Sequence, residues 1–211
     1  MGTVVAFVSQ KGGVGKSTLA RALAREGAAG GLSVKLADLD TQQGTSLDWQ
    51  RARLAASIEP IVSVEPFGNA AQALKAAASY DLLIIDGPAR TSSATLEIAR
   101  AAGLVVQPSG PSLDDLRPAV REFHALVKAG IPANRLTFAL NHIGTDAEES
   151  DARAFLEEAG YPVLAGYLPE RPAYRRAQNG GHAVTETKFA ALNARADALM
   201  QSLVERVNAD G

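Results

Sequence analysis

The segment Lys11–Thr18, with the sequence KGGVGKST, constrains this chain more than any other feature. It follows the apolar run Val4–Val8 and precedes an alanine- and leucine-rich stretch, so the local order is strand, glycine loop, helix. Glycines let such a loop turn several backbone N–H groups toward one point, and the helix N-terminus behind it adds partial positive charge. The segment is therefore an anion site, and we interpret it as a loop that binds ATP.

Single residues of the loop suit a nucleotide. Lys16 is placed to reach the outer phosphates, and the Ser17 hydroxyl suits Mg²⁺. The expected loop contacts of ATP are Lys11, Gly12, Gly13, Val14, Gly15, Lys16, Ser17 and Thr18. The general phosphate-loop pattern has a glycine five positions before Gly15, and this chain has Gln10 there.

Instead, a second lysine, Lys11, stands at the mouth of the loop. In this form the loop resembles the deviant Walker A box of the ParA/MinD family of ATPases. In that family the extra lysine crosses a dimer interface and contacts the phosphates bound by the partner subunit. The resemblance implies a homodimer formed with ATP, in which Lys11 and Lys16 are catalytic. The alternative for Lys11 is an ordinary solvated lysine.

Composition limits the remaining function classes. The 211 residues fit one domain, 1–211, and 46% hydrophobic with 21% charged residues is typical of a globular protein. A net charge of −2 excludes a uniformly basic coat, so any contact with DNA has to come from a local patch. The chain has no cysteine, which excludes disulfides and iron–sulfur ligation and fits a cytoplasmic location. The N-terminal apolar run is too short for a signal peptide or a membrane span.

Short apolar runs alternate with helical stretches along the chain. Strands are predicted at Val4–Val8, Val34–Ala37, Ile61–Val64, Leu82–Ile85, Leu104–Gln107, Leu136–Leu140 and Val163–Ala165. Helices are predicted at Lys16–Ala28, Ser46–Ala56, Asn69–Ala78, Ser92–Ala102, Leu113–Ala129, Ala147–Ala159, Pro172–Asn179 and Lys188–Val207. This alternation predicts an α/β fold, a mostly parallel twisted sheet with helices on both faces and ligands at the carboxyl ends of the strands.

Two predicted strands end in aspartates. Asp86 closes an apolar strand in the Walker B arrangement, which places a carboxylate close to Mg²⁺. The segment Leu36–Gly44 resembles the family's Asp-x-Asp-Pro-Gln-Gly segment, in which the second aspartate orients the water that attacks the γ-phosphate. By position that residue is Asp40, while Asp38 supports the loop or the metal shell.

The resemblance places Ser17, Asp40 and Asp86 at the metal. The resemblance also assigns catalytic roles to Asp40, Lys11 and Lys16. Thr41 replaces the family's usual proline and Gln43 is inserted before Gly44, so this loop departs from the family pattern. The alternatives are a solvated acidic turn for Asp40 and a simple turn-starting aspartate for Asp86.

The strand Leu136–Leu140 is followed by Asn141. An asparagine amide offers both a donor and an acceptor, which matches an adenine edge, and the family has an asparagine near the purine at this point. The alternative is an asparagine that caps a turn. Pro169 and Glu170 are weaker candidates, because the family wraps a proline-containing loop around the base there.

The stretch Pro108–Asp115 looks like the family's Pro-x-x-Pro-Ser-x-x-Asp segment. From the residues alone, Ser112 is expected to cap the next helix, with Asp115 completing a box-like first turn. The same loop could also contact the dimer partner.

Two sections are locally basic. The first contains Arg117, Arg121, Lys128 and Arg135, and the second contains Arg171, Arg175, Arg176 and Lys188. Related ParA proteins bind DNA without sequence preference through basic residues near their C-terminal helices, and such binding weakens steeply with salt. The resemblance gives the second group this role, and a solvated helix face is the alternative. The three histidines, His124, His142 and His182, lack metal-ligand spacing.

Three functions are compatible with these motifs. The favoured one is a small ParA-like ATPase without an N-terminal DNA-reading domain. As a nucleoid-associated ATP dimer it would partition or position a plasmid, chromosome region or protein cargo, with a ParB-like or other adaptor stimulating hydrolysis. A MinD-like membrane switch would need a basic amphipathic C-terminal helix. The apolar stripe from Phe189 to Val207 is more simply a core-facing surface, so membrane attachment is disfavoured. A ligase on the same scaffold would need a substrate pocket that the sequence does not locate.

Overall fold

The computed structural model describes residues 2–41, 44–88 and 93–209, with residue 93 described by its backbone alone. The strands are β1 (Thr3–Phe7), β2 (Val34–Asp38), β3 (Ser63–Pro66), β4 (Leu82–Asp86), β5 (Leu104–Ser109) and β6 (Leu136–Leu140). The α-helices are α1 (Lys16–Ala29), α2 (Thr45–Ala55), α3 (Ala70–Lys75), α4 (Ser93–Ala101), α5 (Leu113–Lys128), α6 (Asp146–Glu158), α7 (Pro172–Asn179) and α8 (Ala190–Ala209). Short 3₁₀ helices cover Ala76–Ser79, Ala133–Arg135 and Val184–Glu186.

The strands form one sheet in the order β3-β2-β4-β1-β5-β6, and every neighbouring pair is parallel. This confirms the predicted fold class. The connection after β1 runs toward β2 on one side, whereas the connection after β4 runs to β5 on the other. The carboxyl ends of β1 and β4 therefore border a crevice, which is where ligands bind in such sheets.

Helices cover both faces of the sheet, because alternate residues of each strand point to opposite sides. On one face, α3, α4, α5 and α6 pack through side chains such as Phe123 and Leu156. On the other face, α1, α2, α7 and α8 pack through side chains such as Leu19, Trp49 and Leu199. The phosphate loop lies between the two layers, since it joins a central strand to a helix of the second face.

One predicted strand is wrong. Val163–Ala165 is not a strand, because it makes only an isolated bridge between Val163 and Phe138. Gly166 then turns the backbone at a φ of 78°, which ends the extended conformation. The segment meets the end of β6 again further on, where Pro169 pairs with Ile143.

The other predicted elements are confirmed within two residues at each end, except for one helix. The predicted strand Ile61–Val64 is observed as β3, two residues later, and the Ile61 side chain is exposed. The predicted helix Asn69–Ala78 is divided between α3 and the 3₁₀ turn that follows it. Gln43 and the predicted helix start at Ser92 lie outside the described residues.

The last helix faces the core, as its apolar stripe predicts. Leu199 and Leu203 of α8 are fully buried, and Leu192 and Val207 pack partly buried against the same cluster. Phe189 lies before the helix and is 53% exposed. Among the described residues, no helix combines the length and apolarity needed to cross a membrane.

Candidate functional site

The phosphate loop carries the backbone geometry that its glycines predict. Gly13 and Gly15 have φ values of 78° and 106°, a region that L side chains rarely adopt. Gly15 is the N-cap of α1 and supplies no side-chain cap, and the first turn of α1 has no acidic residue. Its unpaired backbone N–H groups and partial positive charge are therefore available to an anion.

Gly15 is required for a second reason. A Cβ atom at this position would lie 1.9 Å from Nδ2 of Asn141. That amide donates to the Val14 carbonyl oxygen at 2.8 Å, and its Oδ1 accepts from the backbone N–H of His142 at 2.9 Å. Asn141 thus supports the loop from beneath while one N–H and one lone pair of its amide stay uncommitted in these contacts.

A cavity of about 300 Å³ opens above the loop. Its lining residues are Gly12, Gly13, Gly15, Lys16, Ser17, Thr18, Arg21, Asp40 and Thr45. Lys16 is only 7% exposed. Burial lowers the pKa of its ammonium group, and the nearby carboxylates of Asp86, Asp40 and Glu122 oppose that shift. An anion in the cavity would likewise favour the charged form of Lys16.

Two buried aspartates lie side by side at strand ends, and the Asp86 carboxylate is close enough to Ser17 and Lys16 of the cavity wall to interact with both. Asp38 and Asp86 are register partners at the carboxyl ends of β2 and β4, and each is 1% exposed. Burial raises the pKa of Asp86 to about 6, although hydroxyl groups of Ser17 and Ser46 act in the opposite direction. Ser46 donates to Oδ2 of Asp86 at 3.1 Å, whereas Oδ1 is buried with no hydrogen-bond partner in the described part of the chain.

Asp38 has a different role from Asp86, because both oxygens of its carboxylate accept hydrogen bonds from backbone N–H groups. Oδ1 accepts from the N–H of Asp40 at 3.0 Å, and Oδ2 accepts from the N–H of Ser46 at 3.2 Å. Of the two roles expected for Asp38, the structure shows the one that supports the loop. Asp40 lies half-buried in the cavity wall, within electrostatic reach of Lys16.

These residues fit a magnesium ion. The Ser17 hydroxyl and the Asp86 carboxylate are the hard oxygen ligands that Mg²⁺ prefers, and Oδ1 of Asp86 is uncommitted within the described residues. No group of three or more His, Asp or Glu side chains in the described ranges is arranged to hold a metal alone. Phosphate oxygens and water would therefore have to complete the coordination, as is usual for Mg²⁺ with nucleotides.

The expected base-binding residues lie around a smaller, adjoining cavity of about 60 Å³. Asn141, Pro169 and Glu170 all contribute to it, together with Thr18 of the phosphate loop. His142, one of the three histidines without metal-ligand spacing, connects the two parts. It has a φ of 57°, its Nδ1 lies 2.5 Å from Glu170 Oε2, and its Nε2 lies 3.1 Å from the Gly13 carbonyl oxygen.

Lys11 forms an ion pair with Asp115 of the same chain. Its side chain is 46% exposed at the mouth of the loop. Ser112 is the N-cap of α5, but the predicted capping box is wrong, because its hydroxyl makes no cap hydrogen bond. The hydroxyl donates instead to Asp115 Oδ2 at 2.8 Å, so the carboxylate holds Ser112 on one side and Lys11 on the other.

The four predicted DNA-binding residues do not share one cavity. Arg171 and Arg175 line the small cavity beside Glu170, and Arg175 is ion-paired with that carboxylate. Arg176 and Lys188 line a separate cavity of about 410 Å³ next to Phe189. In the first basic section, the guanidinium of Arg135 donates hydrogen bonds to backbone carbonyl oxygens at the end of α4. This side chain is therefore engaged in a contact within the protein.

Three polar residues on the second face contribute to the site but were not predicted from the sequence. Arg21 is buried in the cavity wall, Ser46 joins it to Asp86, and Gln178 of α7 reaches back to α1. Gln178 accepts from Arg21 at 3.2 Å and donates to the Thr18 hydroxyl at 3.2 Å. Only Arg21 left a sequence signal, because a residue four positions after Ser17 on a helix must lie on the same face.

Comparisons of sequence and structure relate this chain to known proteins. The model of the CobQ/CobB/MinD/ParA nucleotide-binding domain matches residues 5–184. The maintenance of carboxysome distribution protein A of Gloeobacter kilaueensis is 29% identical over 209 residues, which is 98% of this chain and 94% of that protein.

Solved structures share the fold at lower identity. The septum site-determining protein MinD of Pyrococcus horikoshii, complexed with Mg-ADP, superposes with a TM-score of 0.77 at 18% identity, over 100% of this chain and 99% of that one. Apo McdA of Cyanothece gives a TM-score of 0.75 at 16% identity, over 96% of this chain and 100% of that one.

Proposed function

The chain belongs to the CobQ/CobB/MinD/ParA nucleotide-binding family, and we propose that it is a magnesium-dependent ATPase that dimerises around ATP and partitions or positions a cargo over DNA. One observation carries this proposal above the others. A glycine loop and a buried lysine line a single cavity, and a buried aspartate with an uncommitted oxygen, Asp86, interacts with Ser17 and Lys16 in the wall of that cavity.

In this proposal, the phosphates of ATP lie against the loop. The backbone N–H groups between Lys11 and Thr18 donate to phosphate oxygens, and Lys16 neutralises the outer phosphates. Ser17, Asp86 and Asp40 would hold Mg²⁺. Bound Mg²⁺ supplies positive charge that offsets the charge on the phosphate oxygens.

Asp40 is the proposed hydrolytic residue. It lines the cavity and is attached through its backbone to Asp38, so its carboxylate is presented toward Lys16 from a fixed strand end. There it would orient the attacking water or accept its proton. Phosphoryl transfer depends mainly on such positioning and on charge stabilisation.

At the base end, Asn141, Pro169 and Glu170 would contact the purine. The support is their shared cavity next to Thr18 and the free hydrogen-bonding capacity of the Asn141 amide. His142 would couple this end to the loop, because it bridges Glu170 and Gly13.

The proposed dimer uses Lys11. In a single chain Lys11 is held by Asp115, and it would exchange this partner for the phosphates bound by a second subunit. Its position at the mouth of the loop and its partial exposure leave it accessible to such a partner. Hydrolysis would remove the shared phosphate and release the two subunits.

DNA and an adaptor protein complete the proposal. Arg171, Arg175, Arg176 and Lys188 are the proposed contacts to DNA phosphates. Their division between two cavities implies two separate contact points, and Glu170 partly neutralises one of them. An adaptor would stimulate turnover, and the curated relative named for carboxysome distribution favours a protein cargo. We place the protein in the cytoplasm, on the nucleoid.

A membrane-bound MinD-like role has less support. The apolar residues of α8 that could enter a bilayer, such as Leu199 and Leu203, are buried in the hydrophobic core. Sedimentation with anionic liposomes and ATP separates the two functions, because a DNA-associated dimer stays in the supernatant.

The test begins with Lys16→Ala. Removal of the buried cation should weaken binding of a fluorescent ATP analogue by about 100-fold, since a hydrogen bond to a charged group contributes up to about 3 kcal/mol. Lys75→Ala is the matched control, because Lys75 is an exposed lysine on α3 that does not line the cavity. Wild-type chain that stays monomeric by light scattering with Mg²⁺ and ATP would contradict the proposal.

The DNA arm uses two double variants, Arg171→Glu with Arg175→Glu and Arg176→Glu with Lys188→Glu. Each should reduce ATP-dependent DNA retention at low salt, because each removes phosphate contacts. Gel shifts unchanged in both variants would place the DNA surface elsewhere.

A further inference from the structure

Arg21 is a charged residue in an unusual position. It lies on α1 one helical turn after Ser17, is 7% exposed, and forms part of the wall of the phosphate cavity. Burial of a charged side chain is unfavourable unless the group is paired and hydrogen-bonded. Arg25, one turn further along, follows this rule through ion pairs with Glu26 and Glu186. Arg21 makes no ion pair within the described ranges, so packing alone does not explain it.

The guanidinium of Arg21 is connected through Ser46 to the two buried aspartates of the site, Asp38 and Asp86. Its Nε donates to the Ser46 hydroxyl at 3.1 Å. That hydroxyl donates in turn to Asp86 Oδ2 at 3.1 Å, while the Ser46 backbone N–H donates to Asp38 Oδ2 at 3.2 Å. Ser46 is therefore fixed from three directions, and Arg21 supplies the only contact from α1 among them.

The same network reaches Asp40. Asp38 holds Ser46 with one oxygen and the backbone N–H of Asp40 with the other. A shift of Ser46 would turn the Asp38 carboxylate and displace Asp40. Since reaction rates fall steeply when a catalytic group is misplaced by about 1 Å, a contact that holds Ser46 also controls the chemistry.

One hydrogen-bond donor of the Arg21 side chain has no partner in the described part of the chain. A guanidinium has five N–H donors, and here Nε is bonded to Ser46 and Nη1 to Gln178. Nη2 is buried with no hydrogen-bond partner in the described part of the chain. An unpaired buried donor is destabilising, so a purely structural residue at this position would be better replaced by an apolar one.

We propose that Arg21 is a positioning residue for hydrolysis, which holds Asp40 in its working place through Ser46 and Asp38. The inference rests on the proposed ATPase function. Arg21 acts on the position of another residue, so its loss should slow turnover and leave nucleotide affinity nearly unchanged.

The experiment compares Arg21→Gln, Ser46→Ala and the double variant with the wild-type chain. Each single variant should lower kcat by about 10- to 100-fold, while the Kd of a fluorescent ATP analogue changes less than about twofold. Because both substitutions break the same contact, the double variant should be no slower than the slower single variant. Arg25→Gln, an ion-paired arginine on the same helix outside the cavity wall, is the control and should retain wild-type kcat.

A second readout needs no turnover. Hydrogen exchange of the nucleotide-free chain should be several-fold faster at the amides of Asp40 and Ser46 in Arg21→Gln, because both are bonded to Asp38. Exchange in β1 should not change. If Arg21→Gln does not fold, Ser46→Ala carries both measurements, since it removes only a hydroxyl.

The outcomes separate the two levels of the proposal. Wild-type chain without ATP binding or turnover would overturn the ATPase function itself. Active wild-type chain with unchanged kcat in the folded variants would overturn the role of Arg21 alone. So would an equal loss of affinity and turnover, or kcat losses that multiply in the double variant.

Discussion

Lys11 and Asp115 form an ion pair within one chain, although 104 positions separate them in the sequence. The lysine expected to reach a partner's phosphates is thus held by its own subunit before any partner arrives. The proposed dimerisation would have to break this contact, so the strength of the pair would oppose dimer formation.

Asp115→Asn should therefore strengthen the ATP-dependent dimer. A partly exposed ion pair contributes about 0.2–1 kcal/mol, so the dimer Kd should fall by up to about fivefold per subunit. Mass photometry over a protein dilution series with Mg²⁺ and ATP measures this change. Asp114→Asn, at a neighbouring exposed position in the same helix turn, is the control. A weaker dimer in Asp115→Asn would mean that the aspartate supports the interface.

Asp40→Ala should separate binding from hydrolysis. The loop and Lys16 remain, so ATP affinity is retained, while loss of a general base or water-orienting group lowers turnover by about 100-fold or more. The ATP dimer should then accumulate, as seen by light scattering coupled to gel filtration. Asp48→Ala, which removes a surface carboxylate of α2 paired with Arg51, should behave as wild type. A monomeric Asp40→Ala chain with normal turnover would exclude Asp40 from the mechanism.

Asp86→Asn should stabilise the nucleotide-free fold at pH 7. Burial raises the pKa of Asp86 to about 6 from an ordinary value of 3.8, so the folded state binds more protons than the unfolded state between these values. Wild-type stability therefore falls as the pH rises from about 4 to 6, by an amount on the order of 3 kcal/mol. The variant escapes this loss.

Thermal melts across pH measure the difference. The Tm advantage of Asp86→Asn should be small near pH 4, grow up to pH 6 and then level off. Mg²⁺ with ATP should raise the Tm of the wild-type chain more than that of the variant. A variant less stable than wild type at pH 7 without ligand would show that the ionised carboxylate contributes to the fold.

Glu186→Gln should destabilise the second face of the protein. Arg53 is 1% exposed and donates to both carboxylate oxygens of Glu186, at 2.7 Å and 3.0 Å. Removal of one partner of a buried pair costs about 3–5 kcal/mol, because the remaining charge is left uncompensated. Urea unfolding measures this loss. Glu65→Gln breaks the pair between Lys35 and a half-exposed carboxylate and should cost under about 1 kcal/mol.

The same pair predicts a pH dependence of opposite sign to that of Asp86. Although burial acts to raise it, contacts from Arg53 and the Ala183 N–H lower the pKa of Glu186 below its ordinary value of 4.5. The stabilisation is present above that value and is lost as the pH falls through the lower folded pKa. The gap between wild type and Glu186→Gln should therefore narrow in acid. A constant gap down to pH 2 would show that packing, not charge, maintains the contact.

The fold and the phosphate loop could be predicted because their signals are local. A strand pattern extends over five residues, and the loop from Lys11 to Thr18 is continuous in sequence. The predicted strand Val163–Ala165 failed for the complementary reason. Its composition suits a strand, but Gly166 turns the chain before a second bridge can follow directly.

The sequence by itself determined that this chain forms a parallel sheet with an anion-binding loop, and it identified the aspartates at two strand ends. Only the tertiary structure decided that Lys11 is ion-paired with Asp115, that the Asp38 carboxylate accepts hydrogen bonds from two backbone N–H groups, and that Arg21 is buried beside Asp86. The physical reason is that side-chain hydrogen bonds and ion pairs leave no periodic pattern in the sequence, whether they join Lys11 to Asp115 across 104 positions or Ser46 to Asp38 across eight. They depend on which strand ends and helix faces the completed sheet brings together.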